Sequence, residues 1–183
     1  MTKIYLVHYH PPSHEPFKNI MRLSKEDAFA LADKLFQDKT CSATVRFGPD
    51  NFASYYADRV RAEEWLYDNF TARGGKPVNK HPIYFYVHGN DIADDAWPID
   101  VRLTKKIPLA DVDAADICFT FGDTCERLNK PDRMPVIFKD ELLALLKQHG
   151  SIENLLAFVK EQIGYSMIEA HIWDDKYVME GMS

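Results

Sequence analysis

The chain has 183 residues, 46% of them hydrophobic and 27% charged, with a formal net charge of −6. That apolar fraction excludes intrinsic disorder, and no apolar run is long enough to read as a membrane span. The acidic balance repels phosphate backbones, which disfavours nucleic acid as a partner.

Residues 3–9 alternate and are rich in β-formers, so they predict a first strand. No apolar leader with a small-residue cleavage site precedes it, so the chain reads as cytoplasmic. Pro11, Pro12 and Pro16 preclude a regular element. Ser24 opens a helix with Asp27 as a weak capping-box partner, and Ala28, Phe29, Ala32, Leu35 and Phe36 form its apolar face. A short strand is expected over 43–47, ended by Gly48-Pro49. Asp50 or Asn51 then caps a long helix that reaches about Arg73, where Gly74-Gly75 stops it. The aromatics of that helix, from Phe52 to Phe70, wrap more than one face, as in a helix packed on both sides or lining a groove.

Residues 82–88 predict a half-buried strand, and residues 99–107 one with a wet face, closed by Pro108. Another strand spans 117–121 and ends at Gly122, with a short helix starting at Asp123 or Thr124. Helices over 139–149 and 152–163 are stopped by Gly150 and Gly164, with Ser151 as the cap between them. A last strand covers 167–173. This order lacks βαβ alternation. It predicts a single α+β domain over 1–183, with a twisted, mostly antiparallel sheet and four to five helices.

The charge is uneven: residues 92–183 carry 10 Lys/Arg against 17 Asp/Glu, and residues 1–91 carry 12 against 11. Arg59, Arg61, Arg73, Lys76 and Lys80 lie close in sequence and read as a solvated helix face and loop. Cys41, Cys118 and Cys125 form no C-x-x-C pair, which fits a reducing compartment. Cys118 and Cys125 both read as buried filler.

Four constellations can carry chemistry. His8 and His10 share a side of the first strand, with His14 and Glu15 following, so a metal can be held there; a wet strand end bears the same histidines without one. Glu169 and His171 share a face of the last strand, opposite Ile168, Ala170 and Ile172. They can do acid–base work under a cleft, or be polar strand residues facing water. Residues 119–126 run from a strand into a turn whose free N–H groups can hold an anion, but with one glycine and no lysine they match no phosphate loop, and capping by Asp123 or Thr124 explains them. Tyr84, Tyr86 and His88 share a face that can stack a nicotinamide, a base or a peptide side chain, or pack under a helix. An acidic loop with Asp91, Asp94, Asp95 and Trp97 follows.

Tyr55-Tyr56, Glu64–Tyr67, Gly74–Pro77, His81-Pro82, Ile107–Leu109 and Phe119–Asp123 together resemble an uncharacterised family of small cytoplasmic bacterial proteins. An early-strand His, a middle-strand Tyr and a late-strand Glu also resemble the ADP-ribosyltransferase fold. That resemblance implies His8 holding a nicotinamide ribose, Tyr84 or Tyr86 stacking on nicotinamide, Glu169 stabilising an oxocarbenium-like transition state, and NAD as the cofactor. Two functions follow. One is a binding module in which the aromatic helix and the acidic half meet a protein partner or a small ligand. The other is an NAD-using enzyme built on His8, Tyr84, Tyr86 and Glu169, with His171 beside it. Neither names a bound metal or a state of assembly.

Overall fold

The computed structural model describes residues 3–10, 14–38, 42–89, 103–164 and 166–179. Its six strands are β1 (Tyr5–His10), β2 (Ile83–His88), β3 (Leu103–Pro108), β4 (Ile117–Phe121), β5 (Ile137–Phe138) and β6 (Ile168–Ile172). They form one sheet in the order β3-β1-β2-β6-β4-β5, with every strand pair antiparallel. Five α-helices complete the α+β architecture: α1 (Lys25–Phe36), α2 (Phe52–Ala72), α3 (Lys139–His149), α4 (Ile152–Ile163) and α5 (Lys176–Met179).

Period-two alternation sorts the strand residues onto two faces. In β2, Ile83, Phe85 and Val87 are buried while Tyr84, Tyr86 and His88 are half-buried. The register sets Phe85 against Ala170 and Tyr86 against Glu169, so each face continues across β6. The apolar face packs on α3 and α4 through Leu142, Ile152, Leu155 and Val159. The other face meets α2: Leu66 and Phe70 pack on Cys118, Val136 and Trp173. Phe70 and Trp173 stack with ring centroids 5.3 Å apart. Farther along, α1 joins this layer as Ala28 and Ala32 pack with Phe52. The sheet is therefore covered on both sides, and the aromatics of α2 serve two neighbours at once.

The helix signals act as read. Ser24 Oγ accepts the Asp27 N–H at 3.1 Å and donates to its carboxylate at 2.7 Å, fixing the start of α1. Ser151 accepts the Asn154 N–H, and Gly164 closes α4 with φ 89°.

Two expectations change, and two short elements come in addition. Residues 43–47 are not a strand: Ser42–Phe47 is a 3-10 helix. Its hydrogen bonds close locally, from Thr44 Oγ1 to Asp38 O and from Gly48 N to Val45 O, and no strand among the described residues pairs with it. The segment after Asp123 forms turns rather than a helix: Asp123 Oδ1 accepts the N–H groups of Cys125 and Glu126 as a cap does, but the backbone bonds that follow close over three residues, from Leu128 N to Cys125 O and from Lys130 N to Arg127 O. The two-residue β5 and four-residue α5 are too short for any periodicity to announce. Pro11, Pro12, Cys41, the acidic loop from Asp91 to Trp97, and the first residues of the 99–107 strand lie outside the described residues.

Candidate functional site

Along β2 and β6 the face under α2 carries Tyr84, Tyr86, Glu169 and His171 in place of aliphatic residues. Opposite them α2 offers Tyr55 and Arg59, and the layers do not close. The result is a cavity of about 190 Å³, walled also by His8–His10 of β1, Arg46 and Phe47 of the 3-10 helix, and the Asp123–Cys125 turn.

Glu169 sits in this wall at 4% exposure. The turn that meets it begins at Gly122, whose φ of 80° suits only glycine without strain, and whose N–H binds Met167 O at 2.9 Å. Thr124 is thereby returned to β6. Its backbone N–H donates to Glu169 Oε2 at 2.9 Å, and its hydroxyl lies 2.6 Å from the same oxygen. Among the described residues Oε1 accepts no hydrogen bond. Burial, joined by the nearby charge of Asp123, pushes the Glu169 carboxyl up to about 8; the two bonds from Thr124 pull the other way and are outweighed. Glu169 is therefore a protonated acid at neutral pH.

Arg59 forms the opposite wall. Its Nη2 donates to Glu63 Oε1 at 2.6 Å, and its guanidinium lies 3.9 Å from the centre of the Tyr84 ring. Glu63, 1% exposed, also accepts from Asn19 Nδ2 and pairs with His81 Nδ1 at 2.7 Å. Burial opposes the Glu63 charge, but Arg59, His81 and Asn19 hold its carboxyl below the usual range. This buried network fixes Arg59 under Tyr84. Arg46, 5.5 Å from the centre of the Tyr55 ring, adds a second guanidinium. Burial raises the phenols of Tyr84 and Tyr86, and Glu169 adds to the rise at Tyr86, so both keep their protons.

His8, Tyr84, Tyr86 and Glu169 all line this one cavity. Their roles differ. The β1–β2 register ends at Val7 and Tyr86, and His8 alternates to the core face, where its ring meets Phe17 and Phe85 at 5.1 and 5.5 Å. Its Nδ1 donates to Tyr84 O at 2.8 Å, and its Nε2 accepts the Phe17 N–H at 3.0 Å. Phe17 has φ 61°, a left-handed conformation that this bond helps hold. Burial depresses His8 to about 4 despite the Tyr84 carbonyl, so the ring is neutral and both nitrogens are occupied. His8 is an anchor.

His171 is not in the cavity wall. It is fully buried behind Tyr84, edge to face at 4.9 Å, and burial lowers it to about 3. His10 Nδ1 binds His14 O at 2.8 Å, and no group of three His, Cys, Asp or Glu among the described residues is arranged to hold a metal. Cys125 lines the cavity rather than filling a core, but burial pushes its thiol to about 12. Cys118 is core, with Trp173 Nε1 donating to its sulfur at 3.4 Å.

The sequence reading did not single out Arg46, Glu63 or Arg59 as site residues; Asp123 accepts the Cys125 and Glu126 N–H groups in the capping role read for it, whereas Thr124, the alternative cap, is bonded to Glu169. The spacing of Tyr55, Arg59 and Glu63 by four was a usable signal, since it stacks all three on one helix face. No family model, curated protein or solved structure matches this chain. No helix among the described residues is long and apolar enough to cross a membrane.

Proposed function

We propose that the chain is an acid–base enzyme that breaks a glycosidic bond of a small polar substrate, with Glu169 as general acid and Asp123 as its companion carboxylate. One observation carries this reading: a carboxyl that keeps its proton to about pH 8 in the wall of a cavity, next to a second carboxylate. A pair of carboxyl groups, one of them a general acid, is the arrangement glycosyl chemistry uses. Glu169 gives its proton to the leaving oxygen or nitrogen as the carbon–heteroatom bond breaks. The Asp123 carboxylate stabilises the cationic sugar carbon, and water adds there and returns a proton to Glu169. His8 does not serve as the acid, being occupied on both nitrogens, and the Cys125 thiol stays protonated.

A cavity of about 190 Å³ is smaller than the roughly 300–1,000 Å³ of drug-sized pockets, so it encloses about a monosaccharide-sized part of the substrate. NAD as that substrate is a second reading, favoured by Tyr86 standing directly opposite Glu169 with Tyr84 on the same face. It assigns no ribose contact to His8. A protein-binding role for the α2 aromatics draws less support, since none of them is exposed and the exposed large apolar residues, such as Leu23, Val78 and Met134, lie elsewhere.

The test is a panel of NAD, purine and pyrimidine nucleosides and aryl glycosides, assayed for the released base or aglycone. Turnover of one class is expected, falling about 100-fold or more in Glu169→Gln. Full turnover in Glu169→Gln, or no turnover and no thermal shift from any member at millimolar concentration, overturns the proposal.

A further inference from the structure

Glu169 is bonded on one oxygen only, and what bonds it continues into the core. Thr124 Oγ1 lies 2.6 Å from Glu169 Oε2 and 3.0 Å from Thr120 Oγ1, and Thr120 Oγ1 lies 3.1 Å from His171 Nε2. Each threonine has one hydroxyl proton, and with all three bonds made and both of these protons spent within them the chain runs in one of two directions. Either His171 donates through Nε2 to Thr120, Thr120 to Thr124 and Thr124 to Glu169, or every bond is reversed and Glu169 donates from Oε2.

The choice falls on His171 Nδ1. That atom is buried and has no hydrogen-bond partner among the described residues. In the reversed chain it would carry an orphaned N–H, the costlier kind of unpaired buried group. In the forward chain it carries a bare lone pair. The charged groups acting on His171 are Arg59 and Arg133, both cationic, and the Tyr84 ring packs edge to face with it; a lone pair is favoured there over a proton. At the other end Glu169 faces Asp123, Arg59 and the Tyr86 phenol. The Thr124 backbone N–H adds a second donor to Oε2, which strengthens its role as acceptor.

We infer that His171, Thr120 and Thr124 form a one-way hydrogen-bond chain that keeps the proton of Glu169 on Oε1, the oxygen left to the cavity. His171 is then a positioning residue, held in the Nε2–H form, and neither acid nor base. The inference rests on the acid reading of Glu169 for its catalytic meaning, while the direction of the chain is observable by itself.

The experiment is nitrogen-15 NMR of the histidine rings in the wild-type protein, with carbon-13 titration of the Glu169 carboxyl in the wild type, His171→Gln, His171→Leu and Thr120→Val. His171 is expected to show a protonated Nε2 and a bare Nδ1, unchanged between pH 5 and 9. His171→Leu and Thr120→Val should raise the Glu169 midpoint by about half a pH unit, since each weakens a bond favouring the ionised form. His171→Gln supplies an N–H at the same place and should restore it. A protonated Nδ1, or a midpoint indifferent to all three substitutions, overturns the one-way chain. A wild-type Glu169 midpoint near 4.5 overturns the acid reading instead, and the wild-type ring nitrogens still decide the chain's direction where a variant fails to fold.

Discussion

Replacing Glu169 by Gln should make the protein more stable, by an amount that grows with pH. The fold holds this carboxyl at about 8 against 4.5 for the free side chain, a gap worth roughly 5 kcal/mol at 1.36 kcal/mol per pH unit. The folded state binds the proton more tightly, so nothing is lost below the unfolded value of 4.5. Between 4.5 and about 8 the unfolded chain ionises and the folded one does not, and stability falls by about 1.4 kcal/mol per pH unit. Glutamine has no proton to lose. Relative to its offset at pH 4.5, Glu169→Gln should therefore gain about 3 kcal/mol on the wild type by pH 7 and roughly 5 kcal/mol by pH 9. His8 and His171, whose affinities are lowered, tilt the absolute curves the other way below pH 6.5, but both proteins carry them and the difference cancels. Urea denaturation of both proteins at pH 4.5, 5.5, 7 and 9 reads this difference. Parallel curves would refute the reasoning.

His8→Phe strands the Tyr84 carbonyl and the Phe17 N–H, and should cost about 2–4 kcal/mol in urea unfolding at pH 7. Because His8 stays neutral in the fold down to about pH 4 while the unfolded residue charges below 6.5, its penalty appears as pH falls through that window. The His8→Phe curve should accordingly lose about one proton's slope there relative to the wild type. Glu63→Gln removes the carboxylate that holds Arg59 and His81 and should cost about 3–5 kcal/mol, measured by thermal and urea midpoints; a loss under about 1 kcal/mol contradicts a buried, paired Arg59. At pH 7.5 iodoacetamide should leave Cys118 and Cys125 unmodified by peptide mass mapping, both thiols being held near 12; rapid labelling of Cys125 would mean a thiolate in the cavity.

The sheet and most helices were legible because their signals are local: alternation in β2 and β6, Ser24 and Ser151 as caps, Gly164 as a stop. Residues 43–47 misled for the same reason. Ala43, Val45 and Phe47 alternate as a strand does, yet the hydrogen bonds of the segment close on Asp38 and Gly48 instead. The site was half legible. Alternation put Tyr84 with Tyr86 on one face of β2 and Glu169 with His171 on one face of β6, but that the two pairs share a sheet face, and that a helix covers it, are tertiary facts. Arg59 looked like part of a solvated basic helix face; Glu63, which pairs with it, is held inside by Asn19 and His81, 44 and 18 residues away. Thr124 looked like a helix cap, and its donors go instead to Glu169, 45 residues away. The His8 anchor depends on Phe17 returning to β1 after the proline-rich stretch, which no spacing rule conveys.

The central claim is that Glu169 holds a transferable proton at neutral pH. Its side-chain carboxyl carbon, labelled with carbon-13 and assigned by its absence from Glu169→Gln, can be titrated directly in the folded protein. A midpoint near 8 is expected. A carboxyl that ionises near 4.5 would remove the acid from the cavity, and with it the proposed chemistry.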